Sequence, residues 1–523
     1  MGTQFRARAH SLLFFACFFA SSLPGFASQP TPIAYTGLPA PNAGSGVTFL
    51  NFDLSRSSIA PDGSVGFKAT LAGPGLDLDT GISFWSGSAP DLAMLARVTQ
   101  PAPGVDGATF ISMGGNNTVG DGGVLSFNAA LAGPGINNNN SGALWSGGPG
   151  NVQLLARQGS PIAGVSTGVI AGVGNSRANQ HGQVTFFANL RNTGVTEDQG
   201  IWTGTPGAVQ LLARKGAAAP GTSFFFKDFG DQNPPTAINA AGVNAFFAST
   251  TQVLPDTSNA GGIWIGTPGS LQLSVTAGTH VDGLPAGLSL AGAPQPRLND
   301  AGQLGFFGRL SGPALDPTND QAIITGGGVS GTPLRFILRE GDQVPGAAPG
   351  RRFKNIGAFS MNNHGEIAVG SETTGEPLFA SVLVEGGPGD VQLVVSSHTD
   401  APGSTSTFKT FGTTALNDQR MLVFQAGLEN GKNGIWMSDE SHVVAPVLVS
   451  GQSIEVAGSM KTVSITALPF EHSLTDAGTL IFGAVFTDGS QAIFTTTVPE
   501  PGSILLLPLI ALGAAALRKR SRR

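Results

Sequence analysis

Cysteine is almost missing from this chain: one residue, Cys17, in 523. That excludes a disulfide scaffold and any cysteine-based zinc site. Tyrosine also occurs once, and charged residues make up only 11 %, with 27 Lys and Arg against 33 Asp and Glu for a formal net charge of −6. So little positive charge excludes a basic, phosphate-gripping nucleic-acid binder. Seven histidines are scattered. No HExxH exists, and His280, His398, His442 and His472 have no partner at metal-ligand spacing. Glycine is abundant instead, at 76 residues beside 35 Pro. Together they fall short of the ~25–30 % typical of aperiodic disorder. A hydrophobic content of 41 % is enough for a sizeable core.

The only long apolar runs lie at the ends. Arg6 and Arg8 precede LLFFACFFA from Leu12 to Ala20, and Gly25 and Ala27 follow as small residues two apart. This is the pattern of a secretory signal peptide over residues 1–27, cut after Ala27. Phe14 and Phe15 stand where a lipoprotein motif wants Leu and a small residue, so Cys17 is not read as a lipid anchor. The far end, VPEPGSILLLPLIALGAAALRKRSRR, carries an uncharged stretch over 502–517 and a basic tail over 518–523 that includes Arg518, Lys519 and Arg520. Sixteen helical residues span about 24 Å, short of the ~30 Å hydrocarbon layer. Bilayer thinning accommodates such a span, and the basic tail fixes it with its C-terminus in the cytoplasm and the body outside. Pro499, Glu500 and Pro501, the short span and the Arg/Lys cluster together resemble the PEP-CTERM sorting signal of Gram-negative bacteria. The resemblance implies signal peptidase and an exosortase-type enzyme as processing partners, transient anchoring in the inner membrane, and a final place at the cell surface or in the extracellular matrix, beside exopolysaccharide.

Between the ends, residues 28–498 are a repeat. One element reads LNDAGQLGFFGRL from Leu298, INAAGVNAFFAS from Ile238, ANQHGQVTFFANL from Ala178 and MNNHGEIAVGSE from Met361, with four weaker copies. Its turn glycines, Gly63, Gly123, Gly182, Gly242, Gly302, Gly365 and Gly478, with Arg420 in one slot, are spaced 60, 59, 60, 60, 63, 55 and 58 apart. So steady a period over eight copies means a repeat architecture. Asn at the head of NxxG bonds its own backbone and Gly takes positive φ, which makes a hairpin loop. The alternating xVxFxAxL after it reads as a half-buried strand. IWxG and VQLLAR add two more runs, and a fourth precedes each turn, as in FFFKDF from Phe224. Four strands per repeat with Gly/Pro turns describe a propeller blade.

The N-terminal PIAYTGLPAPNAG, from Pro32, matches the last third of a copy, and the eighth copy lacks that third. Lending that strand to the last blade removes the unpaired edges. The expected fold is therefore all-β: an eight-bladed propeller closed by the N-terminal strand, with a β-solenoid or two smaller arrays as alternatives. The NxxGxxxF element resembles a tandem repeat of anchored bacterial surface proteins, which implies location and no established activity. Arg420 departs from its glycine and puts the turn geometry of copy seven in question.

Chemistry is sparse. Trp85, Trp145, Trp202, Trp264 and Trp436 share one repeat slot, which reads as packing. Arg97, Arg157, Arg214 and Arg339 recur at the end of the fourth strand and read as outer-strand residues paired with nearby carboxylates, rather than a ring for an anionic polysaccharide. His181 and His364 read as solvated turn residues. GVSTG at 164–168 and GGGVSG at 326–331 match catalytic and dinucleotide patterns, but neither has the flanking helix. The variable loops between second and third strands carry Asp77, Asp79, Asp198, Asp316 and Asp320. These are the candidate ligand-face residues, and oxygen donors in flexible loops suit Ca²⁺, although none forms a DxDxDG loop. No catalytic residue, cofactor or metal is assigned. The sequence points to an exported, non-enzymatic surface or matrix protein contacting exopolysaccharide or another envelope component. A secreted propeller lyase or glycosidase using loop carboxylates is the alternative.

Overall fold

The computed structural model describes residues 29–498 except Ala89, 116–117, 231–235, 252–260, Pro294, 376–379 and Glu471. The expected signal peptide with Ala27, the Pro499-Glu500-Pro501 triplet, the apolar stretch and the basic tail lie outside the described residues. Among the described residues, no helix is long and apolar enough to cross a membrane.

Eight antiparallel sheets of four or five strands surround one axis, with two single 3₁₀ turns at Leu54–Arg56 and Asp121–Gly123. Blade 3 shows the pattern: Val169–Ala178 innermost, then Val184–Arg191, Gln199–Gly204 and Gln210–Arg214 at the rim, each paired to the next. Blade 8 is completed from the other end of the chain. Thr31–Tyr35 runs antiparallel to Gln491–Thr497, with Thr31 opposite Thr495 and Tyr35 opposite Ala492. The Tyr35 hydroxyl donates to Ser490 Oγ at 3.0 Å, and the Gln491 backbone N–H donates to Thr36 Oγ1 at 3.0 Å. The protein is an eight-bladed β-propeller closed by its N-terminal strand, and neither an open solenoid nor two separate arrays.

The core sits between blades. Each of eight apolar clusters is built from two neighbours, including one joining blade 8 (Ile481, Ile493) to blade 1 (Phe49, Phe67, Trp85). This explains why the second strands are apolar on both faces. Phe186 packs with Leu144 of blade 2, while its neighbour Phe187 packs with Trp264 of blade 4. All five tryptophans are buried, as their shared slot predicts. Trp145 stacks on Phe127 with centroids 6.0 Å apart and meets Phe110 edge-on at 4.9 Å. Its Nε1 donates to the Pro103 carbonyl at 3.0 Å, and Trp202, Trp264 and Trp436 donate likewise to Ala163, Pro220 and Pro402. The APG loop and the IW strand are thus two halves of one interaction, a buried indole with a satisfied N–H.

Every inner strand also carries a β-bulge, at the same height in seven blades, for example between Phe49 and Asn51, Phe110 and Ser112, and Phe408 and Thr410, and one residue pair away in blade 6, between Lys354 and Ile356. The hairpin turns keep the expected geometry. Gly302 takes φ of 79° and its N–H donates to the Asn299 carbonyl at 3.0 Å. Arg420 takes φ of 56° and donates to Asn417 at 3.1 Å, so copy seven makes the same turn with a residue for which the left-handed region is strained.

Candidate axial binding site

The inner strands and their turns converge on an axial cavity of about 520 Å³ to which all eight blades contribute, from Ile59 and Pro61 in blade 1 to Asp476 in blade 8. Its wall is organised by the asparagine that opens each NxxG turn. The Asn299 side-chain carbonyl accepts from Gln303 N–H at 2.8 Å, which holds the turn. Its Nδ2 donates across the blade boundary to the Asn362 carbonyl at 2.9 Å. The same bridge runs from Asn179 to Asn239 (2.9 Å), Asn239 to Asn299 (3.2 Å), Asn362 to Asn417 (3.2 Å) and Asn417 to Thr475 (3.2 Å). Six consecutive blades, 3 to 8, are joined in this way. In blades 1 and 2 the slot holds Ala60 and Gly120, and backbone bonds take over: Asp121 N–H to Gln180 at 2.6 Å, and Ile59 N–H to His472 at 2.8 Å.

The next turn residue forms a second series of bridges, across blades 4 to 8. Asp300, Asn363, Asp418 and Asp476 accept, through Oδ1, the backbone N–H of Ala240, Asp300, Asn363 and Asp418 respectively, at 2.7–3.0 Å. Burial pushes the Asp476 carboxyl above its usual range, with the charges of Asp418 and Asp300 adding to it. Against these acids stand Arg177, Arg297 and His472 in the same wall. The Arg297 guanidinium lies 5.1 Å from the Phe359 ring centroid and 5.0 Å from that of Phe470, held between blades 6 and 8. Charged groups of both signs, amides and aromatic faces therefore line one cavity, a surface suited to a polar ligand of sugar size.

The loop aspartates lie elsewhere, between the second and third strands of blades 1, 3 and 5, at the opposite end of those second strands from the NxxG turns. Asp77 accepts from Thr80 and Asp79, and Asp316 from Thr318; the turn bonds hold both carboxyls below the usual range. Asp198 pairs with Lys215 at 2.8 Å and Asp320 with Arg309 at 3.2 Å. Asp79 gives its N–H to Asp77. The structure does not bring these five together. Among the described residues, no group of three or more His, Cys, Asp or Glu side chains is placed to hold a metal ion. Two of the repeated arginines brace such second-to-third-strand loops, Arg157 Nε donating to the Asn140 carbonyl (2.9 Å) and Arg214 pairing with Glu197 (3.1 Å), whereas Arg339 pairs with Asp342 (2.7 Å) in the turn after its own strand. His181 and His364 are exposed in their turns. Residues 164–168 lie in a loop between strands, and 326–331 in a strand-to-strand hairpin.

Residues 25–203 and 198–505 match the sequence family described as "Family of unknown function (DUF7453)". The chain belongs to that family. No curated protein matches its sequence. Among solved structures it is similar to a Mycobacterium tuberculosis puromycin-hydrolyzing peptidase (13 % identity, TM-score 0.36), with 87 % of this chain and 62 % of the peptidase covered. The chain thus spans about three-fifths of that protein's length. It is also similar to a eukaryotic initiation factor (12 %, TM-score 0.37, 88 % and 93 % covered) and to the polysaccharide lyase Uly1 (10 %, TM-score 0.35, 81 % and 97 % covered). At these TM-scores the likenesses carry no argument about what this family member does.

Sequence reasoning missed the cavity wall. Arg177, Arg297, Phe359 and Phe470 fall in stretches that differ from copy to copy, and only ring closure sets them opposite one another. It also missed a buried cluster around Glu385. The one available signal was Arg420 in a glycine slot.

Proposed function

We propose that this protein is an exported, cell-surface or matrix binding protein without enzymatic activity, which holds an exopolysaccharide or another envelope glycan at its axial cavity. The observation that carries this reading is the cavity wall itself. Arg297, steadied by the buried Phe359 ring and the exposed Phe470 ring, faces the same cavity as the exposed carboxylates of Asp300 and Asp476, fixed donors and acceptors of the kind that recognise sugar hydroxyls. The enzyme alternative needs a loop carboxylate that carries a proton near neutral pH. Asp77 and Asp316 are biased toward the ionised form and Asp198 and Asp320 are engaged by cations, which favours a binding role.

The test is a glycan array with the secreted protein, read beside Arg297→Ala and Phe470→Ala and accompanied by hydrolysis assays. Binding lost in both variants with the melting transition retained is the expected result. Chain cleavage abolished by Asp77→Ala, Asp198→Ala or Asp316→Ala would overturn the reading in favour of an enzyme. Export and sorting are tested by replacing Pro499, Glu500 and Pro501 with alanine and following size and fractionation. The variant is expected to stay unprocessed in the membrane fraction.

A further inference from the structure

The third strand of seven of the eight blades carries, just after the tryptophan slot, a small or apolar residue: Ser86, Ser146, Thr203, Ile265, Thr325, Met437 and, in blade 8, Thr495. Two of the hydroxyls donate to the turn glycine of the next blade, Ser86 to Gly123 at 2.6 Å and Thr325 to Gly365 at 3.0 Å. At the junction of blades 6 and 7 both partners change together. Glu385 stands in the hydroxyl slot and Arg420 in the glycine slot.

Glu385 is fully buried, and its carboxylate oxygens meet no donor at hydrogen-bonding geometry. Arg420 Nε lies 3.4 Å from Glu385 Oε1 and 3.6 Å from Glu366 Oε1, shared between two carboxylates. His442 Nε2, from the third-to-fourth-strand loop of blade 7, is 3.9 Å from Glu385 Oε1. Asp439 of blade 7 and Asp390 of blade 6 complete the charged surroundings of Glu385 and His442. On its other oxygen, Glu366 accepts from Asn362 Nδ2 at 2.8 Å, the same amide that bridges to the Asn417 carbonyl at 3.2 Å. A continuous polar path thus runs from the buried carboxylate to the asparagine bridge in the cavity wall.

We propose that Glu385, Arg420 and Glu366 form a proton-responsive seam between blades 6 and 7: with Glu385 protonated, Arg420 belongs to Glu366 and steadies Asn362, and ionisation of Glu385 draws Arg420 away and loosens the Asn362–Asn417 bridge. Burial raises the Glu385 carboxyl to about 7, against the pull of Arg420. A raised carboxyl favours the folded seam fully below its ordinary value of 4.5, and that contribution is lost as pH rises toward 7. His442 is lowered, first by burial and then by Arg420, so its own contribution has the opposite sign: present above 6.5 and lost as pH falls. A buried acid that ionises with no hydrogen-bond donor in place is the costly event.

The seam is independent of any ligand and goes beyond the binding role. Its test is hydrogen–deuterium exchange on the ligand-free protein at pH 5.5 and 8, corrected for intrinsic rates, at residues 381–390 and 417–424, with the junction of blades 4 and 5 as internal reference. The expected result is a several-fold loss of protection at pH 8, confined to the seam and abolished in Glu385→Gln. The double change Glu385→Thr with Arg420→Gly, which restores the residues of other copies, is expected to fold and to be pH-insensitive as well. Equal changes at both junctions, or an unaltered pH response in either variant, would overturn the proposal.

Discussion

The Asn299 side chain divides its two ends between two blades: Oδ1 accepts from Gln303 N–H within its own turn, while Nδ2 donates to Gln303 Oε1 and to the Asn362 carbonyl of the next blade. An aspartate there would keep the first function and fail the second, since it would set an anion against a carbonyl oxygen. Asn299→Ala is expected to cost about 1–3 kcal/mol, the range for leaving buried partners unsatisfied. Asn299→Asp is expected to cost at least as much, although Asp is as good a turn former. Urea denaturation of the two variants checks this; an aspartate variant close to wild type would mean that the cross-blade bridge contributes nothing. The turn function was legible in NxxG. The bridge was not, because it depends on which carbonyl the ring sets 2.9 Å away. The tryptophan slot was legible as packing for a simpler reason: a large apolar side chain recurring at one register has nowhere to go but a repeated interface. Trp145→Ala should cost about 3–5 kcal/mol. Trp145→Phe, which keeps most of the packing and loses the bond to Pro103, should cost about 1–2 kcal/mol.

At the scale of the strand, the closing element decides most. Without Thr31–Tyr35, Gln491–Thr497 becomes the open outer edge of blade 8, with the backbone N–H and C=O groups that faced its partner left unpaired. Deleting residues 29–38 is expected to lower the melting temperature and to produce light scattering on heating. A synthetic peptide of the same residues added in trans should reverse both, and a deletion variant with wild-type melting would contradict velcro closure. This strand was legible because the first and last copies are complementary fragments of one period. The bulges of the inner strands were not. A bulge adds one residue without a fixed composition, and the residues within it run from Leu50 to Lys227 and Lys409, so no motif marks them. The loop aspartates failed as a site for a related reason. Spacing showed variable acidic loops on one face but said nothing of Lys215 and Arg309, whose ammonium and guanidinium groups take up two of the five.

At the scale of the whole ring, the apolar core of each blade packs on its two neighbours, through eight equivalent clusters. A linear array of such units unfolds from its ends, because terminal repeats have one neighbour rather than two. Closure removes the ends, so every blade has two neighbours and no preferred place to begin. The ring was legible from period and complementarity, whereas the cavity, the Arg297 clamp and the Glu385 seam exist only once distant copies are brought face to face. One consequence can be measured with the protein's own fluorophores. The five tryptophans lie in blades 1 to 4 and blade 7, while blades 5, 6 and 8 carry Ile324, Val384 and Phe494 in that slot. Tryptophan emission therefore reports five blades, and far-ultraviolet circular dichroism reports all eight. In the intact protein the two transitions are expected to coincide. Trp145→Phe and Trp436→Phe, in blades 2 and 7, should shift that single transition by similar amounts, since each loses one equivalent bond, to Pro103 or to Pro402. In the chain lacking Thr31–Tyr35 the probes should separate, with circular dichroism changing first as blade 8, which carries no tryptophan, loosens. Coincident transitions in that open chain would show that cooperativity comes from the blade interfaces alone and owes nothing to the closing strand.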